Sequence, residues 1–166
     1  MIFLTVGSWH KGFDRLVRAV EKLRRDNVIS EEVVAQIGPG QYKPQTLRTM
    51  EFCSPRDFQQ FIAEARVIIA HAGMGTIAEA LSRSKPIIVV PRKASLNEAN
   101  TDHQFTTART LEAEGKILVA YDTEDLAGMV DRAGNFAPSG SSLSNDLCGE
   151  VKAFIENARK KLHLTS

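Results

Sequence analysis

The stretch of residues 67–104 constrains the fold most, because two short apolar runs in it flank a turn of small residues. The first run, VIIA at residues 67–70, is short and bounded, as expected for a buried strand of a parallel sheet. The turn HAGMGT at residues 71–76 follows, and a helical pattern then leads to a second apolar run, IIVV at residues 87–90. Strand, turn, helix and strand form a βαβ unit with a right-handed crossover, which predicts a parallel sheet.

The turn in this unit has the chemistry of a phosphate site. Gly73 and Gly75 allow the backbone to approach a ligand closely. The unpaired N–H groups of a helix start, with roughly +0.5 charge from the helix dipole, favour an anion there. A tight strand–helix turn that binds nothing has the same composition, so the turn alone leaves both interpretations open.

The rest of the 166-residue chain continues the alternation of strands and helices. Apolar runs predict strands near residues 2–6, 33–37 and 116–119, with a short extended piece near 47–52. Helices are expected after Phe13, after the Ser54–Pro55 start signal, over residues 106–114 and after a Thr123 cap. On the first of these helices the polar residues are expected to face outward, namely Arg15, Arg18, Glu21 and Lys22.

This order predicts an α/β fold with a doubly wound, Rossmann-like parallel sheet, and residues 1–166 are expected to form one domain. Residues 134–144 are rich in Gly, Ser and Pro and predict a loop, and residues 145–162 predict a C-terminal helix. The apolar face of that helix packs either on its own sheet or on another subunit. Ligands of such sheets bind at the carboxyl ends of the strands, where the loops 7–12, 38–40, 71–76 and 91–104 converge.

Composition excludes several classes of function. The formal net charge is +1, so no nucleic-acid partner is expected. No apolar run approaches the ~20 residues that span a bilayer, and the amino terminus lacks a signal-peptide pattern. Cys53 and Cys148 are far apart, and the four histidines form no metal-binding motif, so we expect a cytoplasmic protein with reduced thiols and no metal site.

Two kinds of nucleotide site fit the glycine turn. Residues 73–78 (GMGTIA) match the dinucleotide pattern G-x-G-x-x-A, although this pattern normally follows the first strand. About 20 residues on, where an acidic residue would bind the ribose of NAD, the chain has Arg92 and Lys93, which suit a 2′-phosphate. One hypothesis is therefore an NADP-binding or other nucleotide-binding module without transferase activity.

The other hypothesis is a nucleotide-sugar site. Glu79 lies one helical turn after Gly75, where its carboxylate can accept hydrogen bonds from two ribose hydroxyls. The amide of Gln104 can both donate to and accept from sugar hydroxyls. Because the chain has no DxD-type carboxylate pair to hold a metal, the charge of a leaving diphosphate would be neutralised by the helix start, its backbone N–H groups, His71 and Arg92.

The motifs HAGMGTIAEAL (71–81), KPIIVVPR (85–92) and NTDHQ (100–104) resemble the C-terminal, donor-binding domain of glycosyltransferase family 28. The segments FLTVG (3–7), FDRLV (13–17) and QIG (36–38) make the chain similar to small stand-alone members of that family. Such members include the catalytic subunit of a eukaryotic dolichol-linked N-acetylglucosaminyltransferase and bacterial exopolysaccharide subunits. The resemblance covers roughly residues 1–130.

The resemblance implies the C-terminal half of a GT-B enzyme, an inverting hexosyltransferase that uses a UDP-sugar and needs no metal or other cofactor. The residues implied in donor binding are Gly7, Ser8, Gly38, His71, Ala72, Gly73, Met74, Gly75, Thr76, Glu79, Arg92, Asp102, His103 and Gln104.

Within this set the family assigns the glycine turn and the first loop to the diphosphate, Glu79 to the ribose, His103 and Gln104 to the sugar, and the Gly38 loop to the base. His10 and His71 are the candidate catalytic residues.

A single half implies a partner. GT-B enzymes bind the acceptor with an amino-terminal half, for which this chain has no room. The resemblance therefore implies a membrane-anchored subunit that binds a polyprenyl-linked acceptor and recruits the chain to the inner membrane face. The sequence departs from the family at Ala72, at Thr101 and in the loop Ser8-Trp9-His10, which leaves the donor sugar open.

Overall fold

A parallel sheet forms the centre of the computed structural model, which describes residues 1–139. Within this part the strands are β1 (Ile2–Thr5), β2 (Val33–Gln36), β3 (Arg48–Met50), β4 (Val67–His71), β5 (Ile87–Val90) and β6 (Leu118–Val119). They pair in the order β3-β2-β1-β4-β5-β6, and every neighbouring pair is parallel. The predicted doubly wound α/β fold is confirmed.

The helices of the described part are α1 (Asp14–Arg25), α2 (Pro55–Glu64), α3 (Met74–Ser82), α4 (His103–Ala113) and α5 (Leu126–Ala133). Two single turns of 3-10 helix lie at Ala94–Leu96 and Thr123–Asp125. The start of α2 is as predicted, because the Ser54 hydroxyl accepts from the Asp57 N–H at 3.1 Å.

Two predicted helix starts were wrong. Helix α4 begins at His103, three residues before the expected start. Thr123 does not cap α5, because it begins the 3-10 turn before that helix and Asp125 is the N-cap residue of α5. Asp122 caps the 3-10 turn, since its carboxylate accepts from the Thr123 N–H at 2.8 Å and Asp125 accepts from the Asp122 N–H.

The sheet is buried on both faces, which explains its near-continuous apolar strands. One face packs against α1 and α5 and includes Ile2, Leu4, Val33, Val67, Ile69, Ile88 and Val90. The other packs against α2, α3 and α4 and includes Phe3, Val34, Ile68, Ala70, Ile87 and Val89. Each such side chain contributes about 1.5–3 kcal/mol when it leaves water, so the sheet is the rigid support of the loops at its edges.

The outward orientation predicted for Glu21 was wrong. Its side chain is 1% exposed and accepts hydrogen bonds from the Tyr42 hydroxyl and from the N–H groups of Gln45 and Thr46. Burial alone would raise the pKa of Glu21, but these hydrogen bonds hold it below its ordinary value. The carboxylate thereby fastens the loop between β2 and β3 to α1.

The strand order changes direction between β1 and β4, and this switch point positions the site. The chain leaves β1 towards β2 on one side and leaves β4 towards β5 on the other. A crevice therefore opens at the carboxyl edge between the loop after β1 and the turn after β4, where ligands of doubly wound sheets bind.

Residues 134–139 contain no helix or strand, as predicted for the start of the loop, whereas the predicted helix 145–162 lies outside the described residues. That all 166 residues form a single domain stays a prediction. No helix in residues 1–139 is long and apolar enough to cross a membrane.

Candidate functional site

The turn after β4 directs the start of α3 into the crevice. Strand β4 ends at His71 and α3 begins at Met74, with Gly73 as the cap and no side chain capping the helix. By helix geometry the first N–H groups of α3, those of Met74, Gly75 and Thr76, have no intrahelical acceptor. They form the positive end of the helix dipole, which is the arrangement expected of an anion site.

The imidazole of His71 is enclosed by two glycines. A Cβ on Gly73 would lie 2.2 Å from the His71 Nε2, and a Cβ on Gly7 would lie 2.5 Å from its Cε1. Gly7 also has a φ of +76°, which disfavours any other residue. A Cβ on Gly75, in contrast, would meet nothing within 4 Å. Two of the predicted glycines therefore accommodate His71, and only Gly75 leaves open space where a ligand could lie.

His71 is neutral at pH 7. Burial, together with the positive charge of Arg92, lowers the pKa of His71 to about 4. A neutral imidazole can donate a hydrogen bond but brings no net charge. The sequence-based idea that His71 neutralises a diphosphate is therefore restricted to the dipole of a neutral ring, and the start of α3 and the charge of Arg92 remain as sources of positive potential.

A first cavity of about 400 Å³ lies at the carboxyl edge of the sheet. Its lining contains the predicted residues Gly7, Ser8, Gly75, Thr76 and Glu79, together with Gln36, Cys53, Pro55, Phe58 and Gln59. The last four come from the segment between β3 and the first turns of α2, which the sequence analysis did not connect with the site. The signal was present, since the Ser54–Pro55 helix start follows a strand whose carboxyl end is at this edge.

Polar side chains of the first cavity are held in place by neighbours. The Glu79 carboxylate pairs with Arg83 one turn along α3, with 2.9 Å between Oε1 and Nε. The Thr5 hydroxyl donates to the Gln36 Oε1 at 2.7 Å and accepts from the Gly7 N–H at 3.2 Å. The Gln36 amide is thus oriented with its NH2 group available to the cavity.

Gly38 is not among the residues that line this cavity. Its φ is +59°, and a Cβ on it would lie 3.1 Å from the Val6 side chain. Gly38 therefore lies against Val6 and Gly7, where the loop after β1 begins. Its expected role beside the base stays a prediction.

A second cavity of about 260 Å³ includes His71 in its lining. Its lining consists of Trp9, His71, Arg92, Ala99, Asn100, Thr101, His103 and Gln104. The Gln104 Oε1 accepts from the Arg92 N–H at 3.1 Å, so the amide NH2 group remains to donate to a ligand. Asn100, Thr101 and Trp9 are lining residues that the prediction did not include.

Asp102 lies outside the second cavity. Its Oδ1 accepts from the Ala94 N–H at 2.9 Å, and the residue lines a separate depression of about 430 Å³ with Lys93, Phe105 and Arg109. His10 stacks on Trp9, with 4.6 Å between ring centroids, and lines neither of the two cavities described above. The proposed roles of Asp102 and His10 stay predictions that this arrangement does not favour.

Arg92 is buried, and its guanidinium faces backbone carbonyls. Nη1 donates to the carbonyls of Lys11, Gly12 and Glu98 at 2.9–3.1 Å, and Nη2 donates to that of Val6 at 2.8 Å. Burial lowers the pKa of Arg92 to about 10, so the group still carries its charge at neutral pH. Nη1 and Nη2 are thus committed to backbone carbonyls, which does not favour a 2′-phosphate of NADP at these nitrogens, whereas Nε is buried without a hydrogen-bond partner.

The loop after β5 is fastened by a buried carboxylate that the sequence analysis did not single out. Glu98 accepts two hydrogen bonds from Arg15, both at 2.9 Å, and one from the Lys93 N–H at 2.9 Å. Arg15 had been expected to face outward.

Among residues 1–139, no group of three His, Cys, Asp or Glu side chains is placed to hold a metal ion.

A parallel sheet with a switch point, a bare helix start and two adjoining cavities defines a doubly wound α/β domain with a ligand crevice at its carboxyl edge. The chain belongs to the glycosyltransferase family 28 C-terminal domain family, whose model matches residues 1–132.

Two curated relatives illustrate the family. The chain is 30% identical over 125 residues to the UDP-N-acetylglucosamine transferase subunit ALG13 of Mus musculus. The matched region is 70% of this chain and 10% of the mouse protein. It is 30% identical over 103 residues to the UDP-N-acetylglucosamine–N-acetylmuramyl-(pentapeptide) pyrophosphoryl-undecaprenol N-acetylglucosamine transferase of Anaplasma marginale, covering 61% and 28% of the two chains. The chain thus spans only a small part of the length of either relative.

The fold also matches the C-terminal halves of GT-B glycosyltransferases. The calicheamicin glycosyltransferase CalG4 superposes with a TM-score of 0.60 at 18% identity, over 80% of this chain and 33% of that protein. At this identity the likeness concerns the fold alone, and it confirms the predicted GT-B architecture.

The contact between His71 and Gly73 predicts a difference between two neighbouring glycines. We expect Gly73→Ala to lower the free energy of unfolding by about 1–3 kcal/mol, because the new methyl group must displace the imidazole. Gly75→Ala is the matched control, since its methyl group meets open space and should leave stability unchanged or slightly higher. Urea unfolding of both variants measures this, and equal destabilisation would contradict the described packing.

The pKa of His71 predicts how stability depends on pH. The unfolded chain binds a proton there near the ordinary pKa of 6.5, whereas the folded protein binds it only near 4, so the free energy of unfolding falls as the pH decreases between these values. We expect His71→Gln to remove roughly 2 kcal/mol of this dependence between pH 6.5 and 4.5. Denaturant unfolding at several pH values measures the slope. An unaltered slope in His71→Gln would refute burial of a neutral imidazole.

Proposed function

We propose that the chain is the donor-binding and catalytic subunit of an inverting, metal-independent glycosyltransferase that uses a UDP-sugar. The observation that carries the proposal is the start of α3 at the switch point, together with two cavities at this edge, one lined by Gly7 and Gly75 and the other by Trp9 and His71. A nucleotide sugar has three parts that such a site can accommodate: a nucleoside, an anionic diphosphate and a sugar.

The assignment of the parts follows the chemistry of each region. The diphosphate lies on the N–H groups of Met74, Gly75 and Thr76, because the helix start favours anions. The nucleoside occupies the first cavity, where Glu79 accepts from the ribose hydroxyls and Phe58 offers an aromatic ring. The sugar occupies the second cavity beside His103 and Gln104.

Inversion requires a base that deprotonates the acceptor and a site that stabilises the leaving diphosphate. The helix start supplies the second of these. The charge of Arg92 adds to it through space, since Nη1 and Nη2 donate to backbone carbonyls. His71 donates a hydrogen bond without charge. The base comes from the acceptor-binding partner, because His10 packs against Trp9 and lines neither of the two cavities.

The acceptor side is proposed from the relatives. One relative is named as a subunit and the other as a transferase acting on a pyrophosphoryl-undecaprenol substrate. We infer that this chain works with a membrane-anchored subunit on a polyprenyl-linked acceptor at the cytoplasmic face, in the synthesis of a polysaccharide or a lipid-linked oligosaccharide. Both relatives' names support an N-acetylhexosamine donor. In a bacterium the product of this reaction would be an exopolysaccharide.

The experiment that tests the function has two arms. Thermal shift and calorimetry with UDP, UDP-sugars, NADP and ATP should show stabilisation by the uridine nucleotides; preference for NADP would favour the dinucleotide hypothesis and overturn the proposal. Transfer from a UDP-sugar to a polyprenyl-linked acceptor should be slight with the isolated chain and appear on addition of the partner. Full transfer without a partner would refute the claim that a second subunit is required.

The ribose assignment predicts a selective loss of affinity. We expect Glu79→Gln to weaken UDP binding by about 1.5–3 kcal/mol, the range for hydrogen bonds to a charged group, with little change in stability. Arg83→Gln is the matched control, because it removes the ion-pair partner of Glu79 and leaves the carboxylate in place. Isothermal titration calorimetry measures both variants. If Glu79→Gln and the wild type bind UDP with the same affinity, Glu79 does not bind the ribose.

A further inference from the structure

The lining of the second cavity combines hydrogen-bonding groups with one aromatic plane. Asn100, Thr101 and Gln104 contribute amides and a hydroxyl, and no carboxylate is among the lining residues. Trp9 adds an indole that is 44% exposed, although apolar surface of that size is favoured to be covered. A pyranose ring has hydroxyls around its edge and C–H groups on its faces, so it complements this combination.

Trp9 lies on a loop that is held at both ends by one buried guanidinium. Arg92 donates to the carbonyl of Val6 before Trp9 and to the carbonyls of Lys11 and Gly12 after it. The same guanidinium lies over the Phe13 ring, with 4.8 Å between Cζ and the ring centroid. The loop between these anchors is short, so the range of positions open to Trp9 is small.

The indole is also supported from its own loop. The His10 ring stacks on it at 4.6 Å with an interplanar angle of 33°. A side chain that is already ordered loses little conformational entropy when a ligand covers it, which increases the affinity gained from the contact. Trp9 is therefore a prepared surface of the second cavity.

We propose that Trp9 is a specificity-determining contact for the donor sugar and that Arg92 is the positioning residue that holds it. The indole covers one face of the hexose, so it distinguishes sugars by the hydroxyls that project from that face. The inference rests on the proposed function, since it requires a UDP-sugar whose sugar part enters the second cavity. It adds a residue from the loop in which this sequence departs from its family.

The test separates the sugar from the nucleotide. Calorimetry with the full chain gives the Kd of UDP and of UDP-glucose, UDP-galactose and their two N-acetylamino counterparts. The readout is the Kd of UDP divided by the Kd of each UDP-sugar. We expect Trp9→Ala to lower this ratio about three- to tenfold for the sugar that binds best, while the Kd of UDP stays within about twofold. Trp9→Phe is the conservative control and should keep the ratio within about twofold.

Arg92→Lys tests the positioning role. It keeps the charge but loses the planar set of donors, so it should lower the same ratio. The double variant with Trp9→Ala should show no further loss, because both changes act on one contact. A purely structural role for Arg92 would instead weaken UDP and UDP-sugars equally. The Trp9 variants decide the specificity claim if Arg92→Lys fails to fold.

Each outcome of these titrations bears either on the proposed function or on the role of Trp9 alone. A wild-type chain that binds no UDP overturns the proposed function itself. A chain that binds UDP but shows the same ratios in Trp9→Ala as in the wild type, or binds none of the four UDP-sugars, overturns only the role of Trp9. A lower ratio in Trp9→Ala that Trp9→Phe restores supports it.

Discussion

The contact of the His71 imidazole with the backbone of Gly7 and Gly73 sets the geometry of the whole carboxyl edge. Strands β1 and β4 are parallel neighbours, with Thr5 opposite Ala70, so the chain leaves both strands at the same level. The imidazole fills the space between the two departing segments, and a Cβ on either glycine would come within 2.5 Å of it. The imidazole therefore sets the spacing between the loop after β1 and the turn before α3.

A buried positive charge organises the loops around this contact. Transfer of a guanidinium from water is unfavourable unless its hydrogens find acceptors, and Arg92 finds four backbone carbonyls. Glu98 supplies one of these carbonyls, and its carboxylate is held in turn by two hydrogen bonds from Arg15 of α1. The same charge helps to keep His71 neutral, so the positive potential near the turn comes from Arg92 and from the start of α3.

The accuracy of the sequence-based expectations depended on how local the evidence was. The strands 67–71 and 87–90 and the cap at Ser54 were predictable, because apolar runs and start signals lie within a few residues of the structure they specify. The burial of Glu21 was not, because its partners lie 21 to 25 positions away on a loop without periodicity. The contribution of Cys53 and Phe58 to the first cavity was missed for the same reason.

The amino-acid sequence by itself determined the doubly wound fold, the glycine turn at the start of α3 and the membership of the family, since each follows from residues that are neighbours along the chain. Only the tertiary structure decided that His71 is neutral, that Arg92 faces carbonyls, that Asp102 lies outside the second cavity and that Trp9 lines it. These properties depend on desolvation and on contacts between segments up to 86 positions apart, which no local pattern records.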